Sequence, residues 1–266
     1  MDLRPVGVFD SGFGGLSAVR ELRRALPNED IIYFGDTGRV PYGGRSVSTI
    51  IKYAKQDIRF LESFDIKAIL IACGTVSSAL HRFSDEIALP VTGVVEPTVA
   101  SAKSSTKNGK IGIIGTAATI ASGAYERALG DGFEVMSVAC PLFVPLVENG
   151  RFEPGDVVIE TVAREYLAPF AGFGCDTLIL GCTHYPLLKR VIAGVLPGVT
   201  LIDSGAEAAL ALKSMLSAGG LSSGRENGGA VDYHVSDDPE NFSRLASIFM
   251  GEPVEACAKK VDIEKY

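Results

Sequence analysis

The run Thr177-Leu-Ile-Leu-Gly-Cys-Thr-His-Tyr-Pro186 constrains the fold more than any other stretch of this chain. Leu178, Ile179 and Leu180 form a short apolar run, the pattern of a strand buried on both faces of a parallel sheet. Gly181 ends the run. Cys182, Thr183 and His184 then precede Pro186, and proline is a favoured first residue of a helix. A thiol and an imidazole are thereby placed at the carboxyl end of a strand, the edge of an open parallel sheet where ligands bind. The device recurs once, in Ile69-Leu-Ile-Ala-Cys-Gly-Thr75, followed by a run that tolerates helix from 76 to 80.

The recurrence belongs to a longer echo. Ser11 and Thr116, Pro41 and Pro145, Cys73 and Cys182, and Pro90 and Pro197 all stand about 105 residues apart. Strand-like runs at 6–9, 31–34, 69–72 and 91–95 alternate with helical patterns at 16–26 and 47–64, and strand-like runs return at 111–114, 178–180 and 199–203. This rhythm predicts an α/β fold of two pseudo-symmetric lobes, each a mostly parallel sheet flanked by helices, with the site in the cleft between them. After the second lobe come a helical pattern at 206–217, a Gly/Ser-rich loop, a strand at 231–235 and a helix at 239–250. By parity this tail returns to the first lobe. The expected division is residues 1–98 with 206–266 in the first lobe and 99–205 in the second. Prolines and glycines predict an irregular loop over 39–45.

The chain has 266 residues, 47% of them hydrophobic and 21% charged, with a formal charge of -7. That balance builds substantial cores and argues against a general binder of nucleic acid or anionic membranes. No apolar run approaches the length of a membrane span. The first residues enter a strand almost at once, which leaves no room for a signal peptide, and a cytoplasmic protein is expected. The cysteines at 73, 140, 175, 182 and 257 are odd in number and lack CxxC spacing, as expected of free thiols in a reducing compartment.

Two thiols on opposite walls of a cleft suit inversion at a carbon that bears an acidic hydrogen: one face loses a proton and the other gains one. Thiols fit both roles because their ordinary pKa of about 8.5 lies near working pH. A helix amino end is expected to lower it further. The plainer reading is that both cysteines are small buried hydrophobes. His184 can orient or protonate Cys182, or simply pack at the cleft edge. Asp10 and Asp36 end the first two strands and can hold an ammonium group. Ser11, Thr75, Thr116 and Thr183 can hold carboxylates, and ordinary helix capping is the alternative for each. A metal site from Cys73, Cys182, His81 and His184 lacks the usual ligand pairs. Gly12-x-Gly14-Gly15 with Asp36 imitates a dinucleotide fingerprint, but Asp10 would repel a pyrophosphate and Ser17 occupies the third glycine position. No lysine at a strand end suits a pyridoxal Schiff base, so no cofactor is expected. A pair of lobes that binds a dicarboxylate without turnover would need the cleft but not two thiols.

The chain resembles the glutamate racemases of the cofactor-independent aspartate/glutamate racemase superfamily. The resemblance rests on Val8-Phe-Asp-Ser-Gly-x-Gly-Gly15, Gly35-Asp-Thr37, Val40-Pro-Tyr-Gly43, Cys73-x-Thr75 and Gly181-Cys-Thr-His-Tyr-Pro186, in that order over nearly the whole chain. It implies two α/β lobes, a homodimer, a small amino-acid substrate, and supply of D-glutamate for peptidoglycan, with an aspartate or related amino-acid racemase of the same superfamily as the alternative. It also implies that Cys73 works on the D-glutamate face and Cys182 on the L-glutamate face, assisted by Asp10 and His184. By the same resemblance Ser11, Tyr42, Gly43, Thr75 and Thr183 bind the amino acid, and Glu148 is an additional acidic residue near the second thiol. Gly74 stands where the family usually has asparagine. A lost side-chain hydrogen bond there implies a change of about threefold to tenfold in affinity, and Gly74→Asn is expected to alter KM modestly.

Overall fold

The computed structural model describes residues 1–226, 228–254 and 258–266; Cys257 lies outside the described residues. The first lobe opens with β1 (Val6–Asp10), α1 (Leu16–Ala25), β2 (Ile31–Gly35), α2 (Val47–Glu62), β3 (Ala68–Ile71), α3 (Gly74–Ser77) and β4 (Val91–Thr92), after which α4 (Val95–Ser105) passes to the second sheet and packs on it. The second contains β5 (Lys110–Gly115), α5 (Ala117–Ser122), α6 (Ala124–Leu129), β6 (Glu134–Ala139), α7 (Phe143–Glu148), α8 (Val157–Phe173), β7 (Thr177–Gly181), α9 (Lys189–Val195) and β8 (Thr200–Asp203). Then follow α10 (Ser204–Ala218), β9 (Val231–Val235), α11 (Pro239–Met250) and β10 (Lys259–Lys260).

All strand pairings are parallel. One sheet runs β10-β9-β2-β1-β3-β4 and the other β6-β5-β7-β8. The order β2-β1-β3-β4 repeats as β6-β5-β7-β8, so the echo in the sequence is an echo of topology. β9 and β10 extend the first sheet from β2.

Two-sided burial follows from strand alternation. In β3, Ala68 and Leu70 enter a core shared with α1, whereas Ile69 and Ile71 enter a second core with Ile50, Ala54 and Leu61 of α2. In β7, Leu178 and Leu180 join the shared core and Ile179 faces Val95, Val99 and Tyr125. The shared core spans both lobes because α10 packs on α1 and also contacts β7 and β8, and Gly205 lies against Ala18 closely enough that a β-carbon would meet it at 3.2 Å.

Two local expectations change. The 39–45 loop is not wholly irregular: Tyr42–Gly44 form a 3-10 turn with Tyr42 buried. No strand is expected from the sequence where β6 lies. It is an edge strand, and its residues Val135 to Ala139 are only partly buried, so its Glu-Val-Met-Ser-Val-Ala run lacks the apolar continuity of the central strands.

Candidate active site

The carboxyl ends of the central strands meet across the cleft at very short range. A β-carbon at Gly74, the first residue of α3, would stand 2.5 Å from the carbonyl oxygen of Gly181 at the end of β7. One at Gly14 would overlap Thr183 Oγ1 and stand 2.5 Å from His184 Nδ1. The glycines after β1 therefore admit the opposite lobe, a role that requires no nucleotide. Ser17 Oγ completes the approach by donating to the Thr183 carbonyl at 2.8 Å. Cys73 and Cys182, at equivalent strand ends, are 4% and 6% exposed.

The two thiols have different neighbours. Cys73 Sγ donates to Ser11 Oγ at 3.3 Å. Burial, reinforced by the charge of Asp10, pushes the Cys73 thiol up to about 12. The expected lowering by a helix amino end does not occur, because α3 is a single turn of four residues and desolvation outweighs its contribution. On the other wall, His184 Nδ1 lies 3.8 Å from Cys182 Sγ and Nε2 lies 2.9 Å from Glu148 Oε1. Burial alone would lower the imidazole's pKa. The hydrogen bonds to Cys182 and Glu148 overcome it and raise the ring to about 10, so both nitrogens carry protons at neutral pH. Phe249 of α11 meets the ring edge-on at 5.1 Å between centroids, which fixes its plane.

Asp10 is fully buried at the end of β1. Its Oδ2 accepts from the Gly12 N–H at 3.0 Å, while Oδ1 has no partner among the described residues. Burial raises its carboxyl pKa, opposed by the charge of His184. An unsatisfied buried oxygen calls for an explanation, and a ligand group in the cleft supplies one.

Thr75 and Thr116 face each other from opposite lobes with their hydroxyls 3.0 Å apart. Thr119, absent from the sequence-based set, lies 2.9 Å from Thr116 and 3.5 Å from Thr75. Its signal was the Thr116-x-x-Thr119 spacing at a helix start, where Thr116 also caps α5. Gly43 closes on this cluster, with the position of a β-carbon 3.0 Å from Thr116 Cβ.

Asp36 is held apart from this group. Arg39 Nε donates to its Oδ2 at 2.6 Å, the Tyr42 hydroxyl donates to the same oxygen, and Ser236 donates to Oδ1 at 2.8 Å. With both oxygens taken, Asp36 braces the loop that carries Tyr42, and the Tyr42 hydroxyl is spent on the same cluster. Gly74 presents no side chain, and the nearby Gly181 carbonyl leaves no room for one. His81 is exposed on a turn and does not join the thiols. Among the described residues, no three His, Cys, Asp or Glu side chains gather to form a metal site. No described helix is long and apolar enough to cross a membrane.

The chain matches the model of the Asp/Glu/Hydantoin racemase family over residues 17–212. It is 46% identical over 252 residues to the glutamate racemase of Aquifex aeolicus, covering 94% of this chain and 95% of that protein. Against a glutamate racemase of Thermus thermophilus it is 45% identical over 262 residues, covering 98% and 97%. The solved glutamate racemase of Thermus thermophilus in complex with beta-chloro-D-alanine superposes with a TM-score of 0.91 at 44% identity, covering all of both chains. That of Francisella tularensis in complex with D-glutamate gives a TM-score of 0.91 at 39% identity, again over all of both chains. On a family match that spans most of its length, together with these relatives, the chain belongs to the Asp/Glu/Hydantoin racemase family.

Proposed function

We propose that this chain is a glutamate racemase that inverts the α-carbon of glutamate with two thiols and no cofactor. One observation carries the reading: Cys73 and Cys182 occupy equivalent strand ends of two repeated lobes, beside different partners. With L-glutamate between them, Cys182 Sγ takes the α-proton. The Nδ1–H of protonated His184 points at that sulfur, and Glu148 holds the other ring nitrogen, so negative charge on Sγ has a donor throughout. Cys73, whose thiol burial keeps protonated, gives its S–H proton to the opposite face. The products are D-glutamate, a Cys182 thiol and a Cys73 thiolate, and the reverse reaction retraces the same transfers. Asp10 Oδ1 offers a place for the ammonium group. Ser11, Tyr42, Gly43, Thr75, Thr116 and Thr183 hold the remainder of the amino acid, with Tyr42 contributing through its backbone.

The family resemblance extends the proposal to a cytoplasmic homodimer that supplies D-glutamate for peptidoglycan. The proposed lobes are residues 1–98 with 206–266, and residues 99–205. The addition of β9 and β10 to the first sheet supports that division. Incubation with each common D- and L-amino acid in deuterated water, read by chiral chromatography and mass spectrometry, tests the activity. Glutamate should invert and gain deuterium at its α-carbon. Inert glutamate alongside inversion of another amino acid, or of none, overturns the reading.

A further inference from the structure

A buried ionic cluster lies at the end of β2, where the Asp36 N–H donates to the Asp10 carbonyl at 3.0 Å. Asp36 and Asp57 are both fully buried, and a single guanidinium serves them. Arg39 Nε donates to Asp36 at 2.6 Å, Nη2 to Asp57 Oδ1 at 3.0 Å, and Nη1 to Gln56 Oε1 at 2.6 Å. Its guanidinium carbon sits 4.1 Å from the centroid of the Tyr53 ring. The Tyr42 hydroxyl lies against both carboxylates, at 3.3 Å from Asp57 Oδ2. Two buried carboxylates beside one cation crowd negative charge into the core, and burial, reinforced by the charge of Asp36, raises the Asp57 pKa well above its ordinary value. A cluster of this kind is costly to bury and returns little stability over a hydrophobic packing of the same volume. What it does provide is position. Residues 39–45 contain a proline and two glycines, and only the turn Tyr42–Gly44 gives them regular structure. Among the described residues, the Tyr42 hydroxyl bonds only to this cluster while its ring packs in the apolar core, and the next residue, Gly43, meets Thr116 of the opposite lobe.

We propose that Arg39 and Asp57 are positioning residues for substrate recognition: with Asp36 they clamp the Tyr42 side chain and so hold Gly43 against Thr116 in the cleft wall. The inference rests on the glutamate racemase reading, because the loop matters to turnover only if substrate binds in that cleft. Neither residue touches the reacting atoms, and their loss acts on binding more than on proton transfer.

The test uses the full chain. Initial rates over a range of glutamate concentrations are measured for wild type, Arg39→Met, Asp57→Leu, Asp57→Asn and Tyr42→Phe, with limited trypsin cleavage at exposed Arg45 as a reading of loop order. Loss of a buried charge-assisted tie should raise KM about tenfold in Arg39→Met and Asp57→Leu, with kcat within about threefold of wild type. Asp57→Asn keeps the shape and an oxygen acceptor for Arg39 Nη2, and should return KM to within about threefold. Cleavage at Arg45 should quicken in the first two variants and not in Asp57→Asn. Should Arg39→Met fail to fold, Tyr42→Phe reads the same clamp in a variant that keeps its ring, and it should show the same rise in KM. Unchanged KM and cleavage in folded variants overturn the proposal, as does a fall in kcat with KM unmoved. A wild type inert on glutamate refutes the functional reading instead, while the cleavage arm still reports on the clamp.

Discussion

Gly74 lies directly beneath the carbonyl of Gly181, so that a β-carbon at the first would stand 2.5 Å from the oxygen of the second. The obstructing atom is backbone at the end of a buried strand, and it cannot swing aside as a side-chain tip would. The absence of a side chain at residue 74 thus sets how closely the two lobes approach.

Gly74→Ala should therefore hold the cleft apart. Overpacking of this kind costs about 1–3 kcal/mol, and the part of it that falls on the closed cleft appears as a loss of up to about fivefold to 150-fold in kcat/KM. Gly74→Asn should cost at least as much. The modest effect expected from a lost amide contact assumed space that the structure does not have. Steady-state kinetics on both variants checks the point, and wild-type kcat/KM in Gly74→Ala would refute the spacing argument.

Removal of either thiol should disable inversion. Cys73→Ala and Cys182→Ala should each lose several orders of magnitude in racemisation, because one face then lacks its acid or base. Cys140→Ala and Cys175→Ala should keep the chemistry. Cys140 is wholly buried, so its truncation should appear as a lower unfolding midpoint and not as a slower reaction. Full activity in Cys182→Ala would sink the two-thiol mechanism.

The His184–Glu148 pair makes a prediction in pH. The ring titrates at about 10 in the fold against 6.5 unperturbed. Its bound proton therefore stabilises the fold fully below about pH 6.5, and that contribution fades as pH rises through about 10. Cys73 acts in the same direction at high pH, since its folded pKa is also raised. Comparison of variants isolates the histidine. Glu148→Gln should lower the ring's pKa by about one unit or more. The alkaline limb of kcat/KM and the alkaline loss of stability should then both move to lower pH. Superimposable wild-type and Glu148→Gln profiles would show that Glu148 does not hold the ring charged.

Ser17 latches α1 to the other lobe through the Thr183 carbonyl at 2.8 Å. Ser17→Ala leaves that buried carbonyl without its donor, at a cost of about 1–3 kcal/mol if no water replaces it. Closure should weaken, with KM rising about threefold to tenfold and deuterium exchange per turnover unchanged. A KM equal to wild type would show that the latch does not contribute to closure.

The central strands, their parallel pairing and the two strand-end thiols were legible in the sequence, because each follows from local patterns: apolar runs of strand length, glycine stops, and an echo at one offset. The tail's β9 and α11 were legible for the same reason. The edge strands β6 and β10 were not, because they lack that apolar continuity. What tertiary structure decided is who meets whom. Ser17 and Thr183 are 166 residues apart in the chain. No local pattern distinguishes a serine that latches two lobes from one that caps a helix. Asp36 reads along the chain as a strand-end carboxylate free to bind substrate, and only packing against Arg39, Tyr42 and Ser236 shows its oxygens already taken. Gly74 reads as a missing amide until the Gly181 carbonyl is placed above it. Cys73 and Cys182 look alike in sequence, yet their environments diverge, one thiol desolvated beside Asp10 and the other facing a charged imidazole. Desolvation and close approach depend on the whole surrounding shell, which only the folded chain assembles.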